Sequence, residues 1–329
     1  MAFERATAVK QVDSHTYSAN FVDDWCIGSV PHGGYVTSTL QKAVKKHFDT
    51  TLRKQDQPHT LALHLDFLRR TQVGPATFTI KDVKLGRQTS VVHVSLTQDG
   101  REEVVGYCTN THLEKETGLT FHTNWQTHPL RLPLTSTLRA LELNHDPAWT
   151  ELTTWPNHHF RKATSQIRSW FPRSGQRAQN IYDQWVTLRD PTETWTNEKL
   201  GYLVDMFPQL CETYILDGFD QYDPKLPETP AGRAVRDAKQ PFTPYWYPTV
   251  LLNLDVKKAL PEPAGRKFLF SRLQAKQIRN GRYDLEVVVW DEEDEIVALS
   301  HHVCYVVSAE RNLAKRTTTT TTTGGGSKI

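Results

Sequence analysis

One strand pattern occurs twice in this chain of 329 residues, and this duplication limits its possible folds more than any other feature. Residues 60–67 read TLALHLDF and residues 249–256 read TVLLNLDV, and both segments have the length and composition of a β-strand. A helical pattern precedes each strand, starting near Gly34 in the first copy and near Gly201 in the second, where it runs on toward Tyr214. The sequence therefore predicts two related units.

Each predicted helix is followed by a series of strands. Gln98-Asp99-Gly100 predicts a hairpin turn between two strands of the first copy. A helix followed by an antiparallel meander is typical of an α+β fold with the helix packed on the sheet. The other predicted strands cover residues 77–85, 90–97, 103–113, 267–278, 283–290 and 296–307.

The spacing of the two copies predicts the domain boundaries. Equivalent residues are 167 positions apart at Tyr35 and Tyr202, but 189 apart at Thr60 and Thr249. The second copy therefore carries a 22-residue insertion, which we assign to the proline-rich segment 217–247, and long loops of this kind are often lids or binding elements. We predict a first unit at 1–115, a linker at 116–150, a second unit at 151–310 and a flexible tail at 311–329.

Composition excludes several classes of protein. Lys and Arg number 39 against 37 Asp and Glu, so the chain has no basic surplus for nucleic acid binding. No apolar stretch is long enough to cross a membrane, and the N-terminus has no apolar core of a secretory signal. The four widely spaced cysteines are expected to be buried free thiols in a reducing compartment.

The C-terminal tail ends in a candidate targeting signal. Seven threonines and three glycines precede Ser327-Lys328-Ile329, which resembles the peroxisomal address of a small, a basic and a bulky aliphatic residue. The final Ile departs from the usual Leu. This tail predicts binding to the peroxisomal import receptor and a peroxisomal location, with the cytoplasm as the alternative.

Several short motifs resemble those of one enzyme family. They are Trp25-Cys26-Ile27-Gly28 before Pro31-His32-Gly33-Gly34-Tyr35, then LHLDFLR, then the Tyr202-Leu203-Val204-Asp205 segment. In this order they are similar to the double hotdog proteins of the acyl-CoA thioesterase II, or thioesterase-like, superfamily. The resemblance implies two helix-wrapped antiparallel units joined in one continuous sheet, an acyl-CoA or related acyl thioester as substrate, and no cofactor.

The resemblance also implies three catalytic positions. The family's catalytic Asp falls on Asp205, and its Thr falls on Thr249. The family's Gln falls on His302, which is a departure, because an imidazole cannot donate and accept as an amide does. His302 could hold a water by one hydrogen bond or act as a base itself. A structural alternative for Asp205 is that it only stabilises the positive end of its own helix.

The residues around the first helix start are the candidates for substrate binding. His32 is expected to cap the helix or to face the acyl group, and Gly33 and Gly34 would let backbone approach a ligand, although glycines also serve turns. Tyr35 completes this group. Adjacent histidines such as His301 and His302 point to opposite faces of a strand, so we predict no metal site.

Three functions remain open at this point. The leading hypothesis is hydrolysis of an acyl thioester by a water activated at Asp205, Thr249 and His302. The first alternative is a double hotdog dehydratase or hydratase that uses His32 and Asp205, since Gln209 also fits the Asp-x-x-x-Gln spacing of such enzymes. The second is a non-catalytic acyl-binding hotdog of the kind implied for fungal biosynthetic clusters. A homodimer is a further option left open.

Overall fold

The computed structural model describes residues 1–153, 155, 157–215 and 245–313. Most of the predicted insertion, the threonine run and the terminal Ser327-Lys328-Ile329 therefore lie outside the described residues. The α-helices of the described residues are α1 (Phe3–Ala6), α2 (Gly33–Asp49), α3 (Leu138–Glu142), α4 (Leu200–Val204), α5 (Glu212–Ile215) and α6 (Glu310–Leu313).

The strands follow the order predicted from the duplication. The long predicted strands all form, with ends that differ by a few residues, and the 98–100 turn joins two of them. In the first half they are β1 (Lys10–Gln11), β2 (Thr16–Phe21), β3 (Cys26–Ile27), β4 (Val30–Pro31), β5 (His59–Phe67), β6 (Gly74–Lys84), β7 (Ser90–Gln98) and β8 (Arg101–Thr111). In the second half they are β9 (Trp149–Glu151), β10 (Ile167–Pro172), β11 (Ile181–Leu188), β12 (Tyr245–Trp246), β13 (Thr249–Val256), β14 (Leu269–Gln274), β15 (Ile278–Arg279), β16 (Arg282–Trp290), β17 (Ile296–Tyr305) and β18 (Val307–Ser308).

Fourteen of the described strands form one antiparallel sheet that runs through both units, with the order β1-β2-β6-β7-β8-β5-β13-β17-β16-β14-β11-β10-β9 and with β15 paired to β16. The units join where β5 pairs with β13, and there His64 lies opposite Asn253. These two residues are also equivalent in the duplication, so a pseudo-two-fold axis passes between them. The predicted double hotdog with one continuous sheet is confirmed.

Helix α2 packs on the first half of this sheet. It begins at Gly33 because His32 is its N-cap: the His32 Nδ1 accepts a hydrogen bond from the Gly34 N–H at 3.1 Å. Its buried apolar residues recur at helical spacing and include Val36, Leu40 and Val44. The predicted start of this helix near Gly34 is confirmed.

The second helix is much shorter than predicted. Helix α4 ends at Val204, a 3₁₀ turn covers Pro208–Cys211, and only then does α5 begin. Pro208 has no N–H to donate to the Val204 carbonyl, and a residue that precedes proline avoids the helical region. Phe207 accordingly has φ −126° and ψ 49°. The prediction of one helix running toward Tyr214 is therefore wrong.

Helices α2 and α4 cross at two equivalent glycines. A Cβ on Gly34 would lie 2.8 Å from the Cα and carbonyl oxygen of Tyr202. A Cβ on Gly201 would lie 2.4 Å from the Gln41 Oε1. This close crossing holds the start of α2 against α4, and it thereby sets the distance between the two candidate site segments.

The unit boundaries differ from the predicted ones at both ends of the second unit. Helix α3 and the first two residues of strand β9 lie inside the predicted 116–150 linker, and β9 pairs with β10 of the second unit. The predicted tail begins with α6, whose Asn312 is buried and accepts a hydrogen bond from the Ser29 N–H at 3.0 Å. Ordered chain therefore continues at least to Leu313.

Two predictions from composition can be compared with the structure. Among the described helices, none combines the length and the apolar character needed to cross a bilayer. The four cysteines are buried free thiols, as predicted, and they are Cys26, Cys108, Cys211 and Cys304.

Candidate active site

A cavity of about 500 Å³ opens where the two units meet. Its wall includes the segment that leads into α2, the chain after β5, the end of α4, and the start of β13. Four of the predicted site residues line it, together with Gln209: these are His32, Gly33, Asp205 and Thr249. Gly33 and Thr249 are 216 positions apart in the chain, and the packing of the two units brings them to the same cavity.

Asp205 and Thr249 form the hydrogen-bonded centre of this wall. Asp205 is the C-cap residue of α4, and Thr249 is the first residue of β13. The Thr249 hydroxyl donates to the Asp205 Oδ1 at 2.6 Å. Asp205 is only 2% exposed, so this donor replaces solvent for one of its oxygens.

The electrostatic support for Asp205 comes from α2 and not from its own helix. Asp205 follows the last residue of α4, where the helix dipole is unfavourable to an anion, so the alternative that it stabilises its own helix start is wrong. Its Oδ2 instead lies at Gly33, the first residue of the 17-residue α2. The N-terminus of that helix is the positive end of its dipole, which favours a nearby anion.

Gly33 is needed to admit the carboxylate. A Cβ at this position would lie 2.6 Å from the Asp205 Oδ2. Gly33 therefore makes room for Asp205 beside the cavity, and its approach to a ligand stays a prediction.

The neighbours of Asp205 keep it ionised. Burial acts to raise the pKa of Asp205, but the contact with His302, the neighbouring His32 and the Thr249 hydroxyl together hold this pKa below its ordinary value of 3.8. Asp205 is therefore a carboxylate at neutral pH, and it can orient a water or accept a proton from one.

His32 is close to this carboxylate but is held by the helix start. Its Nδ1 lies 3.9 Å from the Asp205 Oδ2, which is too far for a hydrogen bond, and it accepts the Gly34 N–H instead. Burial lowers the pKa of His32 below 6.5 against the opposing charge of Asp205. The imidazole is therefore neutral, with its one hydrogen on Nε2.

His302 lies behind Asp205. His302 is not one of the described residues that line the cavity, and its side chain is fully buried. The His302 Nδ1 is 3.3 Å from the Asp205 Oδ1, without the alignment of a full hydrogen bond, while the Nε2 is 2.8 Å from the Ser300 Oγ. His302 thus contacts the carboxylate, and it does so from the side away from the cavity.

Gly34 and Tyr35 are not part of this group. Gly34 faces the α4 backbone at the helix crossing. The Tyr35 hydroxyl donates to the Ala6 carbonyl at 2.7 Å, and its fully buried ring packs against Phe21. The predicted substrate contact of these two residues is corrected: both support the core around the start of α2.

The duplication gives only one of the two units this set of side chains. By the spacing of the helices and the register of the strands, Ser38, Thr60 and Cys108 occupy the positions of Asp205, Thr249 and His302. The first unit thus keeps the threonine but has neither the carboxylate nor the imidazole. The candidate site of the described residues therefore belongs to the second unit, completed by the start of α2 from the first.

Sequence reasoning missed four arginines and one serine around the site. The arginines line the cavity, and three separate segments contribute them: Arg69, which ends the LHLDFLR motif, with its neighbour Arg70, then Arg161, then Arg311. Ser300 precedes His302 by two residues and therefore shares its face of the strand, a period-2 signal that could have identified it.

One further cluster was also missed. His15, His47 and Asp82 place their ligand atoms within 4.8 Å of one another in the first unit, away from the cavity wall. The His47 Nε2 is 2.9 Å from the Asp82 Oδ1, and its Nδ1 is 2.9 Å from the Tyr17 hydroxyl. These contacts pair both nitrogens of the buried His47 within the protein.

Comparison with known proteins gives the same assignment for both halves of the chain. The family model of the acyl-CoA thioesterase N-terminal domain matches residues 21–111, and that of the C-terminal domain matches residues 135–306. A thioesterase-like protein of Talaromyces wortmannii, TwmA, is 36% identical over 336 residues, covering 95% of this chain and 94% of that protein.

Solved structures share the fold at low sequence identity. A candidate thioesterase II from Thermobifida fusca YX superposes with a TM-score of 0.66 at 20% identity, covering 92% of this chain and 98% of that one. The acyl-CoA thioesterase II TesB2 of Mycobacterium marinum has a TM-score of 0.61 at 13% identity, with 93% and 98% covered. With both domain models matched in order on one continuous sheet, the chain belongs to the acyl-CoA thioesterase family of double hotdog proteins.

Proposed function

We propose that this protein hydrolyses an acyl thioester with a water activated by Asp205. The observation that carries the proposal is the hydrogen bond from Thr249 to the Asp205 Oδ1, which leaves the Oδ2 at the cavity wall beside Gly33. A buried carboxylate fixed in this way can bind and deprotonate a water in the cavity.

The chemistry then needs three steps. The water oxygen attacks the thioester carbon, and the Asp205 Oδ2 takes the proton of that water. The carbonyl oxygen gains negative charge, and the positive dipole end of α2, which begins at Gly33 in the cavity wall, would stabilise it. The tetrahedral intermediate collapses with cleavage of the C–S bond, and the proton on Asp205 passes to the departing sulfur. The products are a carboxylic acid and a thiol.

The charge of the cavity wall favours a substrate whose acyl group is attached to an anionic carrier. Four arginines line it, whereas Asp205 is the one carboxylate among the described lining residues. Phosphate groups of CoA, or of a related phosphopantetheine carrier, would be attracted to such a wall. Aromatic and aliphatic lining residues, including Phe67, Trp246 and Val250, would receive the acyl group.

A dehydratase is the second candidate, because His32, Asp205 and Gln209 all line the same cavity. Such a reaction needs His32 to remove a proton from carbon. The one lone pair of the neutral ring is on Nδ1, and it already accepts the Gly34 N–H. His32 would therefore have to break the N-cap of α2 before acting as a base, and this favours hydrolysis.

The experiment that tests the function is incubation of the full chain with saturated and with β-hydroxy acyl-CoA esters of several chain lengths. Release of free thiol, followed with a thiol-reactive dye, is the expected result. Formation of an enoyl-CoA without thiol would replace hydrolysis by dehydration. Binding without either product would establish the non-catalytic alternative.

We also propose that the C-terminal Ser327-Lys328-Ile329 is bound by the peroxisomal import receptor and directs the protein to peroxisomes. Turnover of acyl-CoA in that organelle would supply a substrate of the proposed class. The support for this proposal is the sequence of the tail alone.

A further inference from the structure

The side chains behind Asp205 form a chain of short contacts that fixes where hydrogens can be. The Ser300 Oγ lies 2.5 Å from the Asn253 carbonyl oxygen and 2.8 Å from the His302 Nε2. The His302 Nδ1 lies 3.3 Å from the Asp205 Oδ1. His302 and Ser300 are 0% and 7% exposed, so water does not compete for these contacts.

The donors along this chain can be assigned by elimination. A carbonyl oxygen only accepts, so at 2.5 Å the single hydroxyl hydrogen of Ser300 must point to Asn253. The Ser300 oxygen then has only lone pairs for His302, and the His302 Nε2 must carry the hydrogen of that contact. A serine thus decides the protonation of one ring nitrogen.

The other ring nitrogen faces a carboxylate. If His302 were neutral, its hydrogen would be on Nε2 and a lone pair on Nδ1 would face the Asp205 Oδ1, which already accepts the Thr249 hydroxyl. No other polar atom of the described residues bonds this Nδ1. Two buried acceptors facing each other repel, whereas a hydrogen on Nδ1 turns the contact into a charge-assisted one.

We propose that Ser300 is a positioning residue that keeps His302 protonated on both nitrogens, so that an imidazolium is buried behind the Asp205 carboxylate. The role of this imidazolium in catalysis rests on the proposed function. Its protonation state can be measured whether or not the protein cleaves a thioester. The imidazolium replaces the neutral amide that the family resemblance implies at this position. It holds Asp205 ionised while the opposite oxygen faces the cavity.

Few titratable groups of the described residues lie close to His302 and Asp205. His32 lies on the cavity side of Asp205, and Cys304 lies on the strand of His302, 3.7 Å from the Thr249 hydroxyl. The residues paired with His302 on the neighbouring strands are Leu252 and Leu285. Apolar partners on both sides leave Asp205 as the counter-charge of His302.

The duplication supports a specific role for the two residues. Gly106 and Cys108 occupy the positions of Ser300 and His302 in the first unit, where the acid is also replaced, by Ser38. Ser300, His302 and Asp205 therefore occur together in the second unit, and all three are replaced in the first.

The test is the protonation state of His302 in the full chain labelled with ¹⁵N-histidine. Long-range ¹H–¹⁵N spectra at pH 7 should show both ring nitrogens of His302 protonated, with the signals assigned by their loss in His302→Gln and their retention in His301→Gln. In Ser300→Ala the Nε2 loses its acceptor, so His302 should become neutral with its one hydrogen on Nδ1, donated to Asp205. A His302 with one hydrogen in the unaltered protein, or one unaffected by Ser300→Ala, would overturn the inference.

A second measurement covers the case that Ser300→Ala does not fold. The same spectra of Ser300→Gly, which removes the hydroxyl and introduces the residue found at the equivalent position Gly106, should show one hydrogen on His302, carried by Nδ1. A folded Ser300→Gly protein in which both nitrogens stay protonated would contradict the inference. A doubly protonated His302 in a protein that cleaves no thioester would uphold it while removing the proposed function.

Discussion

A catalytic role of Thr249 can be distinguished from a structural one, because the equivalent threonine of the first unit serves as a control. It donates to Asp205, while Thr60, its equivalent in the first unit, has no carboxylate at the corresponding position. Hydrogen bonds to charged groups contribute about 1.5–3 kcal/mol, and each 1.4 kcal/mol is a factor of ten in rate. Thr249→Val should therefore lower kcat for thioester cleavage by about 10- to 100-fold, whereas Thr60→Val should leave it unchanged. Equal effects of the two variants would show that the threonine acts only on the strand.

The depressed pKa of Asp205 sets the acid limit of the reaction. Because this pKa lies below 3.8 in the folded protein, the carboxylate stays ionised as the pH falls toward 4. The same shift contributes stability above pH 3.8 that is lost as the pH falls through the folded-state pKa. With a stable thioester and circular dichroism as a control for folding, kcat/KM should have no acid limb between pH 5 and 7. An acid limb centred in that range would assign the base to another group.

The family resemblance identified the acid and its threonine, which the structure brings together, but it did not identify the residues around them. Asp205, Thr249 and His302 converge because the order of elements in the two copies fixes where each strand and helix lies. The arginines of the cavity wall were missed, since nothing in a linear pattern brings Arg69 and Arg311 together. Tyr35 was predicted to face substrate and instead supports the core, because its neighbours on α2 decide which way it points.

The close crossing of α2 and α4 should make the protein sensitive to a larger residue at Gly34. Alanine favours a helix over glycine by up to about 1 kcal/mol, but overpacking a close contact typically costs about 1–3 kcal/mol. The Cβ in Gly34→Ala would lie 2.8 Å from Tyr202 backbone, so the contact should dominate and lower the free energy of unfolding. Urea unfolding followed by fluorescence measures this. A more stable Gly34→Ala protein would show that the two helices can separate at no cost.

The second helix shows where pattern analysis of an element fails. Its apolar residues predict a helix toward Tyr214, whereas Pro208 ends the helical hydrogen bonding after Val204. The proline was visible in the sequence, and its position four residues after Val204 was the available signal. The break has a structural consequence: it leaves Asp205 at a helix end beside α2 rather than within a helix.

The duplication makes the whole molecule predictable to a large extent. The antiparallel pairing of β5 with β13, the same strand in the two copies, joins two sheets into one with His64 opposite Asn253. The repeat predicted the two units, and the family resemblance implied that their sheets are joined. The divergence of the two copies was less visible, since the loss of the acid and imidazole from the first unit appears only once the strands are aligned by register.

The C-terminal tripeptide is predicted to determine where the protein is located in the cell. A fluorescent reporter that ends in residues 324–329 should become punctate and coincide with a peroxisomal marker. The same reporter without Ile329 should be diffuse, because the receptor reads the free terminal residue. Diffuse fluorescence of the intact fusion would show that the tail is not a peroxisomal signal.

We propose that the Asp205 carboxylate activates the water that cleaves the thioester, so a change that removes only its charge tests this role most directly. Asp205→Asn keeps the size of the side chain and removes its charge and basicity. Asp255→Asn makes the same chemical change on the half-exposed side of β13 and is the matched control.

The direct measurement is the kcat of thiol release by these two variants on a thioester that the unaltered protein cleaves. General-base catalysis is typically worth about 10²–10⁴-fold, so kcat of Asp205→Asn should fall by that factor while Asp255→Asn retains full activity. Acyl thioester affinity of Asp205→Asn should change little, since the apolar wall and the start of α2 remain. A folded Asp205→Asn protein with unchanged turnover would contradict the account and place the active site elsewhere.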